Sequence, residues 1–169
     1  MPILRATIND VPALASLVNS AYRGETSKKG WTTEAYLIDG QRIDEQTLTE
    51  YLDDPDATIL KYESEAGQLV GCVYLKKEEE RLYLGMLSVD PEQQANGIGR
   101  QMLHEAERMA YQLNCPFIKI TVITTRHELL DWYERRGYRR TGKLLPFHVE
   151  EKFGLPRTSI QLAVLEKEI

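Results

Sequence analysis

Apolar residues recur at helical spacing in several parts of the chain. The first helix is predicted from Val11 to Ala21, with Asn9 and Asp10 as its capping residues. Asp44 can cap a second helix, which ends before Pro55. A third and longer helix has its apolar face at Ile98, Met102, Leu103, Ala106, Met109, Ala110 and Leu113.

Segments rich in β-branched and aromatic residues alternate with these helices and predict strands. A short strand from Ile3 to Thr7 precedes the first helix. Three strands joined by short turns follow the second helix, and they are Thr58 to Glu63, Leu69 to Lys76 and Arg81 to Val89. Short turns make such neighbours antiparallel, whereas Phe117 to Ile123 lies beyond the long helix and is predicted to run parallel to the strand before it.

The last third of the chain predicts one more helix and two strands. The helix runs from about Glu128 to Arg136, and Gly137 closes it in a left-handed conformation. The strands, about Tyr138 to Leu144 and Thr158 to Leu165, flank a loop from Pro146 to Arg157. The resulting order is strand, two helices, three strands, helix, strand, helix and two strands, which predicts a mixed sheet covered by helices.

Composition limits the class of protein. A chain of 169 residues without a repeat or a change of composition is expected to form one domain over residues 1–169. The net charge of −5 disfavours nucleic acid as a partner, so an anionic ligand must be bound by local donors. No apolar run is long enough to cross a membrane and no signal pattern opens the chain, so we expect a soluble, cytoplasmic protein. Cys72 and Cys115 are isolated and match neither a disulfide framework nor a metal site.

The segment from Gln94 to Arg100 joins an apolar strand to the long helix and reads Gln-x-x-Gly-x-Gly. Gly97 and Gly99 allow the backbone to approach a ligand closely, and the first N–H groups of a helix have no intrahelical partner. Together they predict an anion site. The third glycine and the acidic residue of a dinucleotide-binding motif are missing, as is the Gly-Lys-Ser/Thr of a nucleoside triphosphate loop, so a phosphate of another kind is expected.

Two motifs in this order are similar to those of a known family. Leu87 to Pro91 ends a strand in Val-Asp-Pro before the glycine turn, and Trp132 to Tyr138 places a tyrosine before a Gly-Tyr pair. The chain thereby resembles the GNAT superfamily of acetyl-coenzyme A dependent N-acetyltransferases, whose loop reads Gln/Arg-x-x-Gly-x-Gly/Ala. The resemblance implies an α/β (α+β) fold with a mixed, mostly antiparallel sheet of about seven strands flanked by about four helices. It also implies acetyl-CoA as co-substrate, no metal, and direct transfer of the acetyl group to an amine in a ternary complex.

The same resemblance implies roles for individual residues. Backbone N–H groups of the turn would hold the pyrophosphate of the cofactor, and they belong to Gln94, Ala95, Asn96, Gly97, Ile98, Gly99 and Arg100. The end of the preceding strand would pair with the pantetheine arm and polarise the thioester carbonyl through Leu87, Ser88 and Val89. Tyr133 would act as the general acid, because a phenol with a pKa of about 10 can protonate a leaving thiolate. Arg126 stands where the family has an asparagine, and it could reach a phosphate, an acceptor carboxylate or solvent.

The acceptor side of the reaction stays open. The acceptor amine could belong to a small molecule, a protein or a peptide. Residues of two loops are candidates for its pocket, namely Trp31, Tyr36, Phe147 and His148. The general base is open among Glu25, Glu34, Asp39, Asp90 and His148. Two further alternatives are a catalytically silent acetyl-CoA-binding regulatory module and a homodimer formed through the final strands, whereas the antiparallel strands before the glycine turn disfavour a nucleotide-binding Rossmann-like fold.

Overall fold

The computed structural model describes residues 3–22, 38–39, 42–146, 155–156 and 160–169. The strands are β1 (Ile3–Arg5), β2 (Ile38–Asp39), β3 (Ala57–Glu63), β4 (Leu69–Glu78), β5 (Arg81–Val89), β6 (Phe117–Ile123), β7 (Arg139–Pro146), β8 (Leu155–Pro156) and β9 (Gln161–Glu168). The α-helices of these ranges are α1 (Val11–Tyr22), α2 (Glu45–Asp53), α3 (Ile98–Gln112) and α4 (His127–Glu134). None of these helices is both long and apolar enough to span a membrane.

Seven strands form one sheet in the order β1-β3-β4-β5-β6-β9-β7. Only β5 and β6 are parallel neighbours, and the other pairs of this sheet are antiparallel. The sheet and its four helices confirm the predicted mixed, mostly antiparallel fold. Two segments that were predicted as loop also contribute the short antiparallel pair of β2 and β8, whose two-residue strands leave no alternating pattern in the sequence.

The first helix confirms its predicted apolar face and its predicted start at Val11, but not its predicted capping residues. Its buried residues are Val11, Leu14, Leu17, Val18 and Ala21. A 3₁₀ turn, Ile8–Asp10, precedes it and is capped by Thr7, whose backbone N–H donates to the Asp10 carboxylate over 2.8 Å. Capping by Asn9 and Asp10 was therefore wrong, because the extra turn moves the cap upstream and places Asp10 in the first turn. For α2 the prediction is confirmed, since Asp44 accepts a hydrogen bond of 2.8 Å from the Thr47 N–H.

Apolar side chains are buried on both faces of the sheet. Along β4, Val73 and Leu75 pack into a core with α3, whereas Cys72 and Tyr74 pack into a core with α1 and α2. Residues that alternate along a strand point to opposite faces, so α3 covers one face while α1 and α2 cover the other. Tyr133 of α4 belongs to the α3 core.

The second half of the sheet follows the predicted order with shifted ends. Gly137 closes α4 with a φ of +95°, which confirms the left-handed position, although the helix already ends at Glu134. The strand β9 starts at Gln161 and lies between β6 and β7. The sheet thus ends in β7 on the side opposite to β1, and the parallel pair of β5 and β6 lies inside it.

Candidate active site

The parallel strands β5 and β6 separate soon after they begin. Their pairing covers Arg81 to Tyr83 on β5 and Phe117 to Lys119 on β6. Beyond these residues, β5 continues to Val89 and β6 to Ile123 without pairing with each other. Because buried backbone groups require partners, a gap between two interior strands is a suitable place for a ligand. The resemblance implied that the end of the strand before the glycine turn pairs with a pantetheine arm, and this gap leaves space beside that strand end.

A β-bulge interrupts β5 near its end. On β4, Cys72 and Tyr74 are two positions apart, yet they oppose Ser88 and Gly85, which are three apart. The extra residue lies at Met86, whose φ is +56°. The bulge reverses the faces of the strand, so that Leu84 and Val89 both lie in the α3 core although five positions separate them.

The glycine turn connects β5 to α3, in the place that the sequence predicts. Gly97 has a φ of +75° and links a 3₁₀ turn, Gln94–Asn96, to the first turn of α3. The first hydrogen bond of the helix runs from the Gln101 N–H to the Gly97 carbonyl, so the N–H groups between them have no intrahelical acceptor. The Gln94 side chain donates to the Val89 carbonyl over 3.2 Å and fixes the turn to the end of β5.

A cavity of about 320 Å³ lies between the glycine turn, the end of β5, the end of α1 and α4. Its lining residues are Ala21, Tyr22, Leu87, Ser88, Val89, Gln94, Gly97, Gly99, Arg100, Arg126, Leu129, Trp132, Tyr133 and Arg136. Most of the predicted site residues therefore surround one space. Ile98 packs into the core and Asn96 is exposed, so neither side chain lines the cavity, while Ala95 lies in the 3₁₀ turn.

Tyr133 lies in this cavity wall and is 5 % exposed. Its ring meets the rings of Trp132 and Tyr138 edge to face, at centroid distances of 5.0 and 5.6 Å. Burial raises the pKa of the Tyr133 phenol well above its ordinary value of 10.0, and the neighbouring Tyr22 and Tyr138 add to this, whereas Arg126 opposes it. The phenol therefore keeps its proton at neutral pH, as a general acid must before it reacts.

Arg126 is buried beside Tyr133, with 5 % of its surface exposed. It lies immediately before α4, where its backbone N–H donates to the Ile123 carbonyl over 3.0 Å. Its guanidinium carbon is 5.9 Å from the centroid of the Tyr22 ring. Arg126 is thus not a solvated residue at the end of a strand but a cationic group in the wall of the cavity.

Five cavity residues were not among the predicted site residues, namely Ala21, Tyr22, Leu129, Trp132 and Arg136. Leu129, Trp132 and Arg136 follow one another at intervals of three and four positions, so they lie on one side of α4 and of the turn that follows it. That spacing was visible in the sequence. Tyr22 donates its hydroxyl to the Leu87 carbonyl over 2.8 Å, a contact between residues 65 positions apart that no local pattern indicates.

The cavity is cationic in the part of the chain that the structure describes. Arg100, Arg126 and Arg136 line it, and none of its described lining residues is acidic. Of the base candidates, Asp90 accepts a hydrogen bond from the Glu92 N–H and does not line the cavity. The side chain of Asp39 lies outside the described residues. The remaining loop candidates lie outside them entirely, and they are Glu25, Trp31, Glu34, Tyr36, Phe147 and His148.

The fold and the cavity define a class of enzyme. A helix start whose N–H groups have no intrahelical acceptor, the end of β5 and a buried phenol line one cavity, an arrangement that suits an acyltransferase whose donor carries a pyrophosphate. Residues 32–148 match the family model described as the Acetyltransferase (GNAT) domain, and the chain belongs to this family. GNAT acetyltransferases use acetyl-CoA as the acyl donor. No match is found among the curated proteins.

Solved structures share the fold, in whole or in large part, at low sequence identity. A ribosomal-protein-alanine N-acetyltransferase from Brucella melitensis is 22 % identical, with a TM-score of 0.73 and complete coverage of both chains. The ribosomal-protein-S18-alanine N-acetyltransferase from Escherichia coli is 13 % identical, with a TM-score of 0.73 over 99 % of this chain and 92 % of that one. A Bacillus anthracis protein in complex with acetyl coenzyme A, provisionally assigned as a streptothricin acetyltransferase, is 20 % identical, with a TM-score of 0.59 over 72 % of this chain and 67 % of that one.

Proposed function

We propose that this protein is a single-domain N-acetyltransferase that transfers the acetyl group of acetyl-CoA directly to an amine in a ternary complex. The observation that carries the proposal is the common cavity of the glycine turn and Tyr133. A donor held at the turn by its phosphates can therefore reach the phenol without leaving the cavity. Membership of the family indicates acetyl-CoA as the acyl donor, and the cavity indicates how the donor and the phenol can lie side by side.

The donor is held along the gap between β5 and β6. The N–H groups of Ile98, Gly99 and Arg100 lie at the open start of α3 and bind the pyrophosphate, with the positive end of the helix dipole beneath it. The pantetheine arm then follows the end of β5, where Leu87, Ser88 and Val89 line the cavity. A backbone N–H of this strand polarises the thioester carbonyl and stabilises the negative charge that develops on its oxygen.

The reaction has four balanced parts. The neutral amine attacks the thioester carbon and forms a tetrahedral intermediate, and its proton passes to a base or to water. The carbon–sulfur bond then breaks, and the Tyr133 hydroxyl donates its proton to the leaving thiolate. Arg126 lies close enough to oppose the rise in the pKa of Tyr133, so its charge stabilises the phenolate that this transfer leaves behind. Water returns the proton to the phenolate.

The acceptor is an amine of a small molecule, a protein or a peptide. The Escherichia coli and Brucella melitensis neighbours are named for an alanine of a ribosomal protein, and the Bacillus anthracis neighbour for streptothricin. These identities are too low to carry an acceptor over to this chain. We therefore leave the acceptor within the class of amines, and an amine panel is the direct way to narrow it.

A binding measurement and a turnover measurement test the proposal together. Acetyl-CoA is expected to raise the melting temperature, and a panel of peptide, lysine, polyamine, aminoglycoside and amino-acid acceptors is expected to contain amines that release free thiol. Propionyl-CoA and succinyl-CoA serve as comparisons for the acyl chain. Absence of cofactor binding would refute the proposal. Binding without turnover on any amine would instead favour the silent regulatory module.

A further inference from the structure

Arg100 and Arg136 form a cationic pair at the end of the cavity next to the glycine turn. Both line the cavity, and the charge of Arg100 is close enough to contribute to a lowered pKa of Arg136, after burial and together with Arg135. Neither forms an ion pair within the described part of the chain. Other arginines of that part do, as shown by Arg81 with Glu166 at 2.7 Å and by Arg140 with Glu134 at 3.0 Å.

Trp132 fixes the guanidinium of Arg136. The guanidinium carbon lies 3.9 Å from the centroid of the Trp132 ring, and the Nη1 group donates to the Trp132 carbonyl over 2.9 Å. The Nε group is buried and has no hydrogen-bond acceptor among the described residues. The same Trp132 ring lies beside Gly99, where a Cβ would be 3.5 Å from it. One indole thus holds an arginine next to the start of α3.

Two like charges that lie close together and have no carboxylate partner among the described residues repel each other, and this repulsion is relieved when an anion binds between them. A planar guanidinium stacked on an aromatic ring offers its N–H edge in a fixed direction, which suits phosphate oxygens. The neighbouring N–H groups of α3 favour the same kind of ligand. The arginine pair and the start of α3 are therefore two independent indications that this end of the cavity binds a phosphate group.

We propose that Arg136, positioned by Trp132 and acting with Arg100, is a phosphate-binding residue of the cavity. The inference rests on the proposed function, because that function makes the ligand acetyl-CoA, which carries a pyrophosphate and a ribose 3′-phosphate. The backbone donors of the glycine turn supply hydrogen bonds but only partial charge. The two arginines supply the full positive charges that a phosphate requires in a protein whose net charge is −5.

The test is the dissociation constant of coenzyme A, measured calorimetrically for the complete chain and four variants. Arg136→Gln and Arg100→Gln are each expected to weaken binding about tenfold, because each removes a charge-assisted hydrogen bond. Arg136→Lys is expected to retain part of the affinity. Arg135→Gln is the matched control, since this exposed neighbour does not line the cavity, and it is expected to change the constant by less than about twofold.

Dephospho-coenzyme A distinguishes the two phosphate sources. If the 3′-phosphate is the partner, the Arg136→Gln variant and the parent protein bind dephospho-coenzyme A equally. If the pyrophosphate is the partner, the tenfold difference persists. Equal losses in Arg136→Gln and Arg135→Gln, or no loss in Arg136→Gln, would overturn the inference. A parent protein that fails to bind coenzyme A would refute the proposed function instead, and Arg100→Gln keeps the test open if Arg136→Gln does not fold.

Discussion

Gly97 and Gly99 serve the glycine turn in different ways, and replacing each one separates backbone conformation from side-chain space. At Gly97 an added Cβ meets nothing within 4 Å, but the φ of +75° lies in the left-handed region. At Gly99 the backbone is helical and an added Cβ would meet Trp132 at 3.5 Å and Val89 at 3.8 Å, which are ordinary contacts. We therefore expect Gly97 to be limited by its backbone and Gly99 by the size of the side chain.

The magnitudes follow from these two environments. Gly97→Ala is expected to lower the free energy of unfolding by about 1 kcal/mol, since the left-handed penalty is partly offset by a less flexible unfolded chain. Gly97→Asn is expected to lower the free energy of unfolding by about half as much, because asparagine tolerates the left-handed conformation. Gly97→Val is expected to lower it by about 2 kcal/mol. Gly99→Ala is expected to raise the free energy of unfolding by about 0.5 kcal/mol through helix propensity. Gly99→Leu must displace the Trp132 ring and is expected to abolish coenzyme A binding.

Urea unfolding gives the stability of each variant, and the coenzyme A-induced shift in melting temperature gives binding. The order Asn, Ala, Val at position 97 is the sharpest part of the prediction, because side-chain volume alone would place alanine before asparagine. Equal stability of Gly97→Ala and Gly97→Asn would refute the conformational argument. Coenzyme A binding that survives Gly99→Leu would refute the argument from space. Retained binding in Gly99→Ala is expected, since the family pattern accepts alanine at this position.

The remaining predictions concern the phenol, its cationic neighbour and the pH dependence of stability. Tyr133→Phe is expected to lower kcat about 100-fold with little change in KM. Tyr138→Phe is the control, because the buried hydroxyl of Tyr138 has no hydrogen-bond partner among the described residues. Equal losses of kcat in the two variants would argue against Tyr133 as a general acid. Arg126→Gln is expected to lower kcat by destabilising the phenolate, and the effect should shrink in the Tyr133→Phe background; full additivity in the double variant would contradict this. Burial raises the pKa of Tyr74 from 10.0 to about 12 and that of Cys72 from 9.0 to about 12. Because the pKa values of both groups are raised in the folded state, the stability that they contribute is complete below pH 9 and is lost as the pH rises from about 9 to about 12. Urea unfolding is therefore expected to give a lower free energy of unfolding at pH 10.5 than at pH 8. Equal stability at the two pH values would contradict this prediction.

The parts of the fold that rest on local patterns were predictable, and the parts that rest on long-range geometry were not. The buried face of α1 follows from helical spacing, and the left-handed Gly137 follows from its place after a helix. The bulge at Met86 was missed, because Leu82, Leu84 and Met86 continue a regular alternation and only the pairing with β4 shows the extra residue. The capping residue before α1 was misplaced because a 3₁₀ turn, Ile8–Asp10, precedes the helix and carries no apolar pattern.

The site divides in the same way. The glycine turn and Tyr133 carry sequence motifs, and the structure brings them to one cavity. Tyr22 was missed because its contact with Leu87 depends on how α1 crosses the sheet. Arg136 was missed although its spacing from Tyr133 was visible in the sequence. The motif that contains it is defined by its tyrosine and its glycine, and it gives no reason to single out an arginine between them. Its stacking on Trp132 became evident only from the packing of α4.

The early separation of β5 and β6 also makes the sheet a structure of two halves. Three residue pairs join β5 to β6, whereas seven join β6 to β9 and seven join β4 to β5. The narrow parallel seam is therefore the line along which the sheet should open first, and amide hydrogens beside it should exchange sooner than those of either half. A donor lying in the gap would bond to both sides of that seam. Binding of the donor would then join the two halves of the sheet, so that the N-terminal and C-terminal halves unfold in one cooperative transition.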